Sequence, residues 1–289
     1  MRSMTGRWSD SKKFGWMIGL LIAILAGSRA LAAGPSAAAT TAFDNYVGKV
    51  ESRLENQHRA AKGFLATEDW GRLRSGEQII DQVTPAGEAD LPGAMLHHWR
   101  GTAFVPGATA AEFEQKMKDF SAYPKRYGPQ IVQARVMGQQ DDHFQVNMRV
   151  RQKHVITVVM DTVYDVTFGR LDADHGYSSS RSSRISEIES AGTGKERALG
   201  PDENHGFLWR LNTYWSCEER DGGLYLQIES VSLSRSVPAG LAWVIKPFVE
   251  SVPRESLEFT LRGTSDALRR KDIQRPENAE RKGGKDERK

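Results

Sequence analysis

Residues 206–235 read GFLWRLNTYWSCEERDGGLYLQIESVSLSR and predict a hairpin of two antiparallel strands. The turn is expected at Asp221-Gly222-Gly223, between two segments of alternating side chains. Because alternate residues of a strand point to opposite faces, this register gives the hairpin one apolar face. That face carries Trp209, Leu211, Trp215 and Ile228. Tyr214 falls on the opposite face, beside Glu229.

A long helix is predicted after this hairpin. Pro238-Ala239-Gly240 ends the strand, and apolar residues then recur at helical spacing. Pro253 is expected to kink or restart the helix, and Leu257, Leu261 and Leu268 continue its apolar stripe. The first half of the stripe consists of Leu241, Val244, Ile245, Phe248, Val249 and Val252.

The chain before the hairpin predicts further antiparallel strands. Residues 144–150 alternate between apolar and polar side chains, with Met148 on the apolar face. The serine- and arginine-rich residues 178–184 are interpreted as the solvated face of an edge strand. Residues 189–204 contain several glycines and are predicted to form a loop.

Strands at 78–83 and 94–105 and two helices are predicted nearer the N-terminus. Thr109 and Glu112 form a capping box for a helix with Phe113 on its buried face. An amphipathic helix is expected over Phe43–Ala61, with its apolar stripe docked on the main domain. Residues 34–41 are predicted to be a flexible leader.

The order of these elements resembles that of the START-like, Bet v 1-like and polyketide cyclase-like proteins, the SRPBCC superfamily. The resemblance is carried by His97–Gly101, Phe104–Thr109, Gly206–Trp215 and Glu229–Arg235, and it covers about residues 93–270. It implies an α+β helix-grip fold, with a curved antiparallel sheet wrapped around a long C-terminal helix. It also implies a cavity between sheet and helix, and it brings no shared catalytic motif.

The first 32 residues have the order of a secretory signal peptide. Basic residues precede the apolar run Phe14–Gly27, and Ala30-Leu31-Ala32 follows it. The run has 14 residues, whereas a spanning helix needs about 20. We expect cleavage near Ala32 and a periplasmic or secreted protein. Removing five basic and one acidic residue changes the formal net charge from +3 to −1, which argues against nucleic acid as a partner.

The expected domain organisation follows from these segments. It comprises a signal peptide (1–32), a linker with the N-terminal helix (33–69), a START-like domain (70–270) and a disordered charged tail (271–289). The sequence leaves the oligomeric state open.

No residue pattern indicates a catalytic or metal centre. His97 and His98 are adjacent on a predicted strand and point to opposite faces. The acidic turns at 141–143 and 172–175 are interpreted as solvated. Cys217 is the only cysteine and is expected to be a small buried hydrophobe. We therefore predict no catalytic residue, no metal and no cofactor.

The predicted function is the binding or transfer of a lipid, isoprenoid or other apolar small molecule. The alternatives are a cyclase- or hydrolase-like enzyme that uses the same pocket, and a scaffold with a filled core. Transient contact with a membrane is a further possibility that the sequence does not decide. The absence of paired acid–base residues on the inward face favours a binding protein. The predicted cavity is lined by Met148, Trp209, Leu211, Trp215, Ile228, Leu241, Val244 and Phe248.

Overall fold

The structure is a computed structural model that describes residues 34–85, 87–153, 156–237 and 242–270, with residues 242–250 described for their backbone only. The predicted signal peptide, the charged tail and Leu241 lie outside the described residues, as do the side chains of Val244 and Phe248.

Five α-helices and ten strands make up this part of the chain. The helices are α1 (Ala37–Gln57), α2 (Trp70–Arg74), α3 (Ala110–Lys118), α4 (Tyr123–Arg126) and α5 (Ala242–Arg269), with a 3₁₀ turn at Phe120–Ala122. The strands are β1 (Ile79–Gln82), β2 (Asp90–Leu91), β3 (Ala94–Pro106), β4 (Ile131–Gln140), β5 (His143–Lys153), β6 (Thr157–Arg170), β7 (His175–Glu189), β8 (Arg197–Ala198), β9 (Arg210–Arg220) and β10 (Gly223–Arg235).

The strands form one large curved antiparallel sheet that is not closed. Its order is β1-β3-β10-β9-β7-β6-β5-β4, while β2 pairs with β3 and β8 with β7. The predicted class, an antiparallel sheet with a long C-terminal helix, is confirmed at this level. One prediction is wrong: the serine-rich strand β7 lies between β6 and β9, so it is not an edge. Strand order depends on distant pairings, which the polarity of one strand does not reveal.

The hairpin of β9 and β10 has the predicted turn and register. Asp221 and Gly222 have φ angles of 56° and 73°, the left-handed conformation that a tight hairpin turn needs. Trp215 pairs with Ile228, and Tyr214 pairs with Glu229. The face assignment of these strand residues is therefore confirmed.

Helix α1 covers one face of the sheet, which we call the outer face. Its buried stripe includes Phe43 and Val50 and packs against Leu96, Val231 and Leu233 of β3 and β10. The helix begins six residues before the predicted Phe43. Residues 37–41, which were predicted to belong to a flexible leader, are therefore helical. Ala37–Ala39 are good helix formers, and the Ser36 side chain caps the helix by accepting a hydrogen bond from the backbone N–H of Ala39.

Helix α5 packs on the opposite face, which we call the inner face. It is one continuous helix through Pro253 rather than two segments. Leu257 and Leu261 are buried against β3 at Gly101, where an added Cβ would lie 2.6 Å from Leu257 Cδ2. The glycine therefore permits the close approach of helix and sheet.

Helix α3 closes one end of this inner core. Both hydrogen bonds of the predicted capping box between Thr109 and Glu112 are present. Phe113 is buried and lies 5.5 Å from Trp215, measured between ring centroids. The predicted buried face of α3 is confirmed.

Candidate ligand-binding site

The inner face of β3, β10 and β9 is organised in rungs of three residues. Each rung has one residue from each strand, because β10 pairs with β3 on one side and with β9 on the other. Residues in one rung point to the same face. Moving along β3 from Ala103 to His97, the rungs are Ala103/Leu226/Cys217, Gly101/Ile228/Trp215, Trp99/Ser230/Thr213 and His97/Ser232/Leu211.

The first two rungs form the apolar half of the inner face. Trp215 and Ile228 are 3% and 2% exposed, and Leu257 of α5 lies over them at Gly101. Cys217 is fully buried, and its burial raises the pKa of the thiol to about 12. The thiol therefore stays protonated and unreactive at neutral pH, as predicted.

The other two rungs form the polar half of the inner face. Ser232 is buried, whereas Trp99, Ser230 and Thr213 stay partly exposed. The indole Nε1 of Trp99 is buried and has no hydrogen-bond partner among the residues described. The hydroxyl of Ser234, one position further along this face of β10, is in the same situation. Such buried polar atoms are unusual, because an unpaired one costs about 1–3 kcal/mol.

Strand β7 extends the hydroxyl-bearing surface. Ser180 pairs with Thr213 across the β7–β9 ladder. Ser182 Oγ accepts a hydrogen bond of 2.9 Å from the backbone N–H of Leu211. The serines interpreted as a solvated edge therefore include residues on the inner face of the central sheet.

The structure brings four of the predicted lining residues together. Met148, Trp215 and Ile228 are buried members of the inner core, and Leu211 packs against it. Trp209 is different, because it packs against the outer cluster under α1. Its place on the inner face was predicted by strand alternation, but β9 begins only at Arg210, so alternation does not extend to it. The guanidinium of Arg235 lies 5.9 Å from its ring centroid.

A buried ionic cluster lies under α1 on the outer face. Glu229 accepts hydrogen bonds from His98 Nε2 at 2.8 Å and from Arg100 Nε at 2.9 Å, and it also pairs with Arg53 of α1. Since Nε2 of His98 donates to the carboxylate, its Nδ1 can accept from the Tyr46 hydroxyl, 2.9 Å away. Burial acts to raise the pKa of Glu229, but His98, Arg100 and Arg53 outweigh it and lower the pKa to about 2.

This cluster was missed in the sequence. Arg53 and Glu229 are 176 positions apart, and only the fold brings the members of the cluster together. One signal in the sequence could have indicated the cluster: Glu229 lies in the middle of the strand that became β10, whose other residues are mostly buried. The cluster binds α1 to the sheet, and both arginines contact the one carboxylate of Glu229.

His58 lies just beyond the C-terminus of α1. Its Nε2 is 2.8 Å from Ser216 Oγ, and its ring stacks on Tyr177 with centroids 4.4 Å apart. Burial, assisted by the charge of Arg53, lowers the pKa of His58 to about 4. His58 is therefore neutral at pH 7 and serves as a packed ring rather than a charge.

Glu187 near the end of β7 holds the loop before β9. Its carboxylate accepts backbone N–H groups from His205, Gly206 and Phe207, together with His205 Nδ1 at 2.6 Å. Glu187 lies 18 positions from His205 in the sequence, on another element. This carboxylate is fully occupied in shaping the chain.

Two open recesses lie away from the inner face. One of about 520 Å³ is bounded by residues that include Leu65, Asp69 and Asp81. The other, of about 200 Å³, lies between α1 and β2 and includes Tyr46 and Leu91. The predicted cavity between sheet and helix remains a prediction.

Within the described ranges, no three histidine, cysteine, aspartate or glutamate side chains are placed to hold a metal ion together. Of the helices described, none has the length and apolar character needed to cross a membrane.

Comparisons with known proteins find similarity only at the level of structure. No family model matches the sequence, and no curated protein matches it. A STAR-related lipid transfer protein fragment from Xanthomonas axonopodis is 16% identical, with a TM-score of 0.41, over 66% of this chain and 98% of that one. A START superfamily protein from Mycobacterium smegmatis is 15% identical, with a TM-score of 0.39, over 59% of this chain and 96% of that one.

An enzyme structure is similar to the same degree. The Zhui aromatase/cyclase from Streptomyces sp. R1128 is 13% identical, with a TM-score of 0.37, over 61% of this chain and 94% of that one. All three similarities are likenesses of structure, with TM-scores below 0.5.

Proposed function

We propose that this chain binds an apolar small molecule between the inner face of the sheet and the N-terminal half of α5. One observation carries the proposal: inner-face side chains next to a fully buried core stay partly exposed. Trp99, Leu211, Thr213 and Ser230 are only half-buried, while neighbouring Trp215 is 3% exposed. Protein atoms leave this end of the face incompletely covered, and such partly apolar concave surfaces are typical of ligand sites.

The energetics suit a lipid or isoprenoid. Each buried methylene group contributes about 0.8 kcal/mol, so an acyl or prenyl chain against the half-buried Trp99 and Leu211 needs few polar contacts. The hydroxyl-bearing rungs beside this apolar surface supply those contacts. An amphipathic ligand matches both halves of the face.

The enzyme alternative gains no supporting observation. Three glutamates are buried in the part of the chain that the structure describes, and each is already held by protein donors. Glu187 binds the loop before β9, Glu218 pairs with Arg220 at 2.8 Å, and Glu229 belongs to the ionic cluster. A general acid–base pair needs carboxyl or imidazole groups that are free to reach a substrate.

The proposal is tested with a neutral fluorescent probe, N-phenyl-1-naphthylamine, whose emission rises in apolar surroundings. We expect saturable binding by the purified protein, and we expect Thr213→Trp to abolish it by filling the half-buried end of the inner face. The matched control is Gln145→Trp, because Gln145 is exposed on the other face of β5. Binding that is absent in the wild type, or equal in both variants, would overturn the proposal.

We also propose that the protein acts outside the cytoplasm, in the periplasm or after secretion. Support comes from the basic, apolar and small-residue order of residues 1–32 alone. N-terminal sequencing of the mature protein tests this, with cleavage near Ala32 and a new N-terminus expected near Ala33. A mature chain that still begins at Met1 would contradict it.

A further inference from the structure

We infer that the ligand of this site is an uncharged lipid whose head group accepts hydrogen bonds, bound with its head at Trp99 and its tail toward Trp215. The inference rests on the proposed function and adds the chemistry and the direction of the ligand. Three features of the inner face carry it.

The first feature is a change of polarity along the strands. The rungs at Ala103 and Gly101 contain aliphatic side chains, a thiol, glycine and the indole of Trp215, whereas those at Trp99 and His97 contain three hydroxyl groups, an indole and an imidazole. The distance from Ala103 to His97 is about 20 Å at the usual rise of a strand. A ligand with one polar end and one apolar end therefore has a preferred direction on this face.

The second feature is the donor left without a partner. Trp99 Nε1 can only donate a hydrogen bond, and no described residue accepts from it. The Ser234 hydroxyl, also without a partner in this part of the chain, can donate as well. A carbonyl, ester or hydroxyl oxygen on the ligand would satisfy Trp99 Nε1 and remove the cost of its burial.

The third feature is the lack of a counter-charge. Arg100, Arg210 and Arg235 all fall on the outer face by strand alternation. In the described parts of β3, β9 and β10, no lysine or arginine falls on the inner face. Glu219 is its one acidic residue, and the Glu219 carboxylate already accepts the backbone N–H of Ala110. A carboxylate or phosphate head would find no cation on these three strands, and burying a charge without a partner costs several kcal/mol.

The experiment compares two lipids that share one chain, 1-oleoylglycerol and oleate, as competitors of the bound naphthylamine probe. It is run at pH 8, where a free carboxylic acid such as oleic acid is ionised. We expect 1-oleoylglycerol to bind at least about tenfold more tightly than oleate. Trp99→Phe should weaken 1-oleoylglycerol about fivefold, the effect of one hydrogen bond, and leave oleate unchanged.

Trp209→Phe is the matched control. Trp209 Nε1 is also buried without a described partner, but it packs against the outer cluster. Its replacement should leave both affinities unchanged. Thermal melting checks that each variant folds. If Trp99→Phe unfolds, Ser234→Ala replaces it. Ser234→Ala is expected to cause a smaller loss of affinity, for 1-oleoylglycerol alone.

The outcomes separate this inference from the function it rests on. If the probe and both lipids fail to bind, the proposed function fails and the inference fails with it. If oleate binds as tightly as 1-oleoylglycerol, or more tightly, the function stands and the uncharged head group is wrong. Equal losses for Trp99→Phe and Trp209→Phe would overturn the position of the head.

Discussion

Leu257 of α5 lies directly over Gly101 of β3, so that a Cβ on residue 101 would come within 2.6 Å of Leu257 Cδ2 and 3.0 Å of Ile80 Cδ1. We expect Gly101→Val to force the helix from the sheet and to lower the free energy of unfolding by about 1–3 kcal/mol. Urea denaturation measures the loss. Gly138→Val is the control, since a Cβ at Gly138 meets nothing within 4 Å; equal stability of the two variants would show that the helix does not lie there.

Trp215 is a large inner-core side chain that contacts Phe113 of α3. Trp215→Ala should lower the free energy of unfolding by about 3–5 kcal/mol, because it leaves a cavity between Phe113 and the sheet. The matched control is Phe207→Ala, whose ring is 40% exposed, with an expected loss below about 1 kcal/mol. An unchanged denaturation midpoint for Trp215→Ala would show that the residue is not in the core.

Glu229 joins α1 to the sheet through charges from three elements. Glu229→Gln should cost about 2–3 kcal/mol, because Arg100 and His98 lose a charged acceptor that is 2% exposed. The control is Glu258→Gln in α5, where the pair with Arg262 is on the surface and is worth less than about 0.5 kcal/mol. A Glu229→Gln protein as stable as the control would mean that the cluster does not stabilise the fold.

His58 should make stability depend on pH. Its pKa falls from 6.5 in the unfolded chain to about 4 in the fold. As the pH falls from 6.5 toward 4, the unfolded chain therefore takes up a proton first and stability is lost, on the order of 2 kcal/mol. The contribution of Glu229 disappears only below about pH 4.5, as the pH falls toward 2.

His58→Phe keeps the ring against Tyr177 and removes the titrating group. The variant is expected to lose stability at pH 7, where the Ser216 hydroxyl has lost its partner, but to show a flatter decline between pH 6.5 and 4.5. Chemical denaturation at pH 7.0, 6.0, 5.0 and 4.5 gives both slopes. Parallel declines in the two proteins would rule out His58 as the cause.

The sequence was informative where the structural signal is local. The turn at Asp221-Gly222, the register that pairs Trp215 with Ile228, and the capping box at Thr109 each depend on neighbouring residues, and the structure has all three. Trp209 shows the limit of alternation, because the strand starts one residue later. A single residue at a strand boundary decides whether the pattern applies.

The missed features depend on distant parts of the chain. His98 meets Glu229 only because β3 and β10 are neighbours, and β7 is central only because β9 pairs with it. Likewise, the polarity change on the inner face becomes visible only when Trp99, Ser230 and Thr213 are known to form one rung. No single strand contains that information.

The central claim is that an apolar ligand lies between the inner face and α5. Photolabelling tests it most directly, with a 1-monoacylglycerol that carries a diazirine in its acyl chain, followed by peptide mass spectrometry. We expect adducts on inner-face peptides that contain Met148 or Trp215, and on α5, with competition by unlabelled 1-oleoylglycerol. Labelling confined to the outer recesses near Leu65 or Leu91, or no competed labelling at all, would show that the ligand does not lie between the inner face and α5.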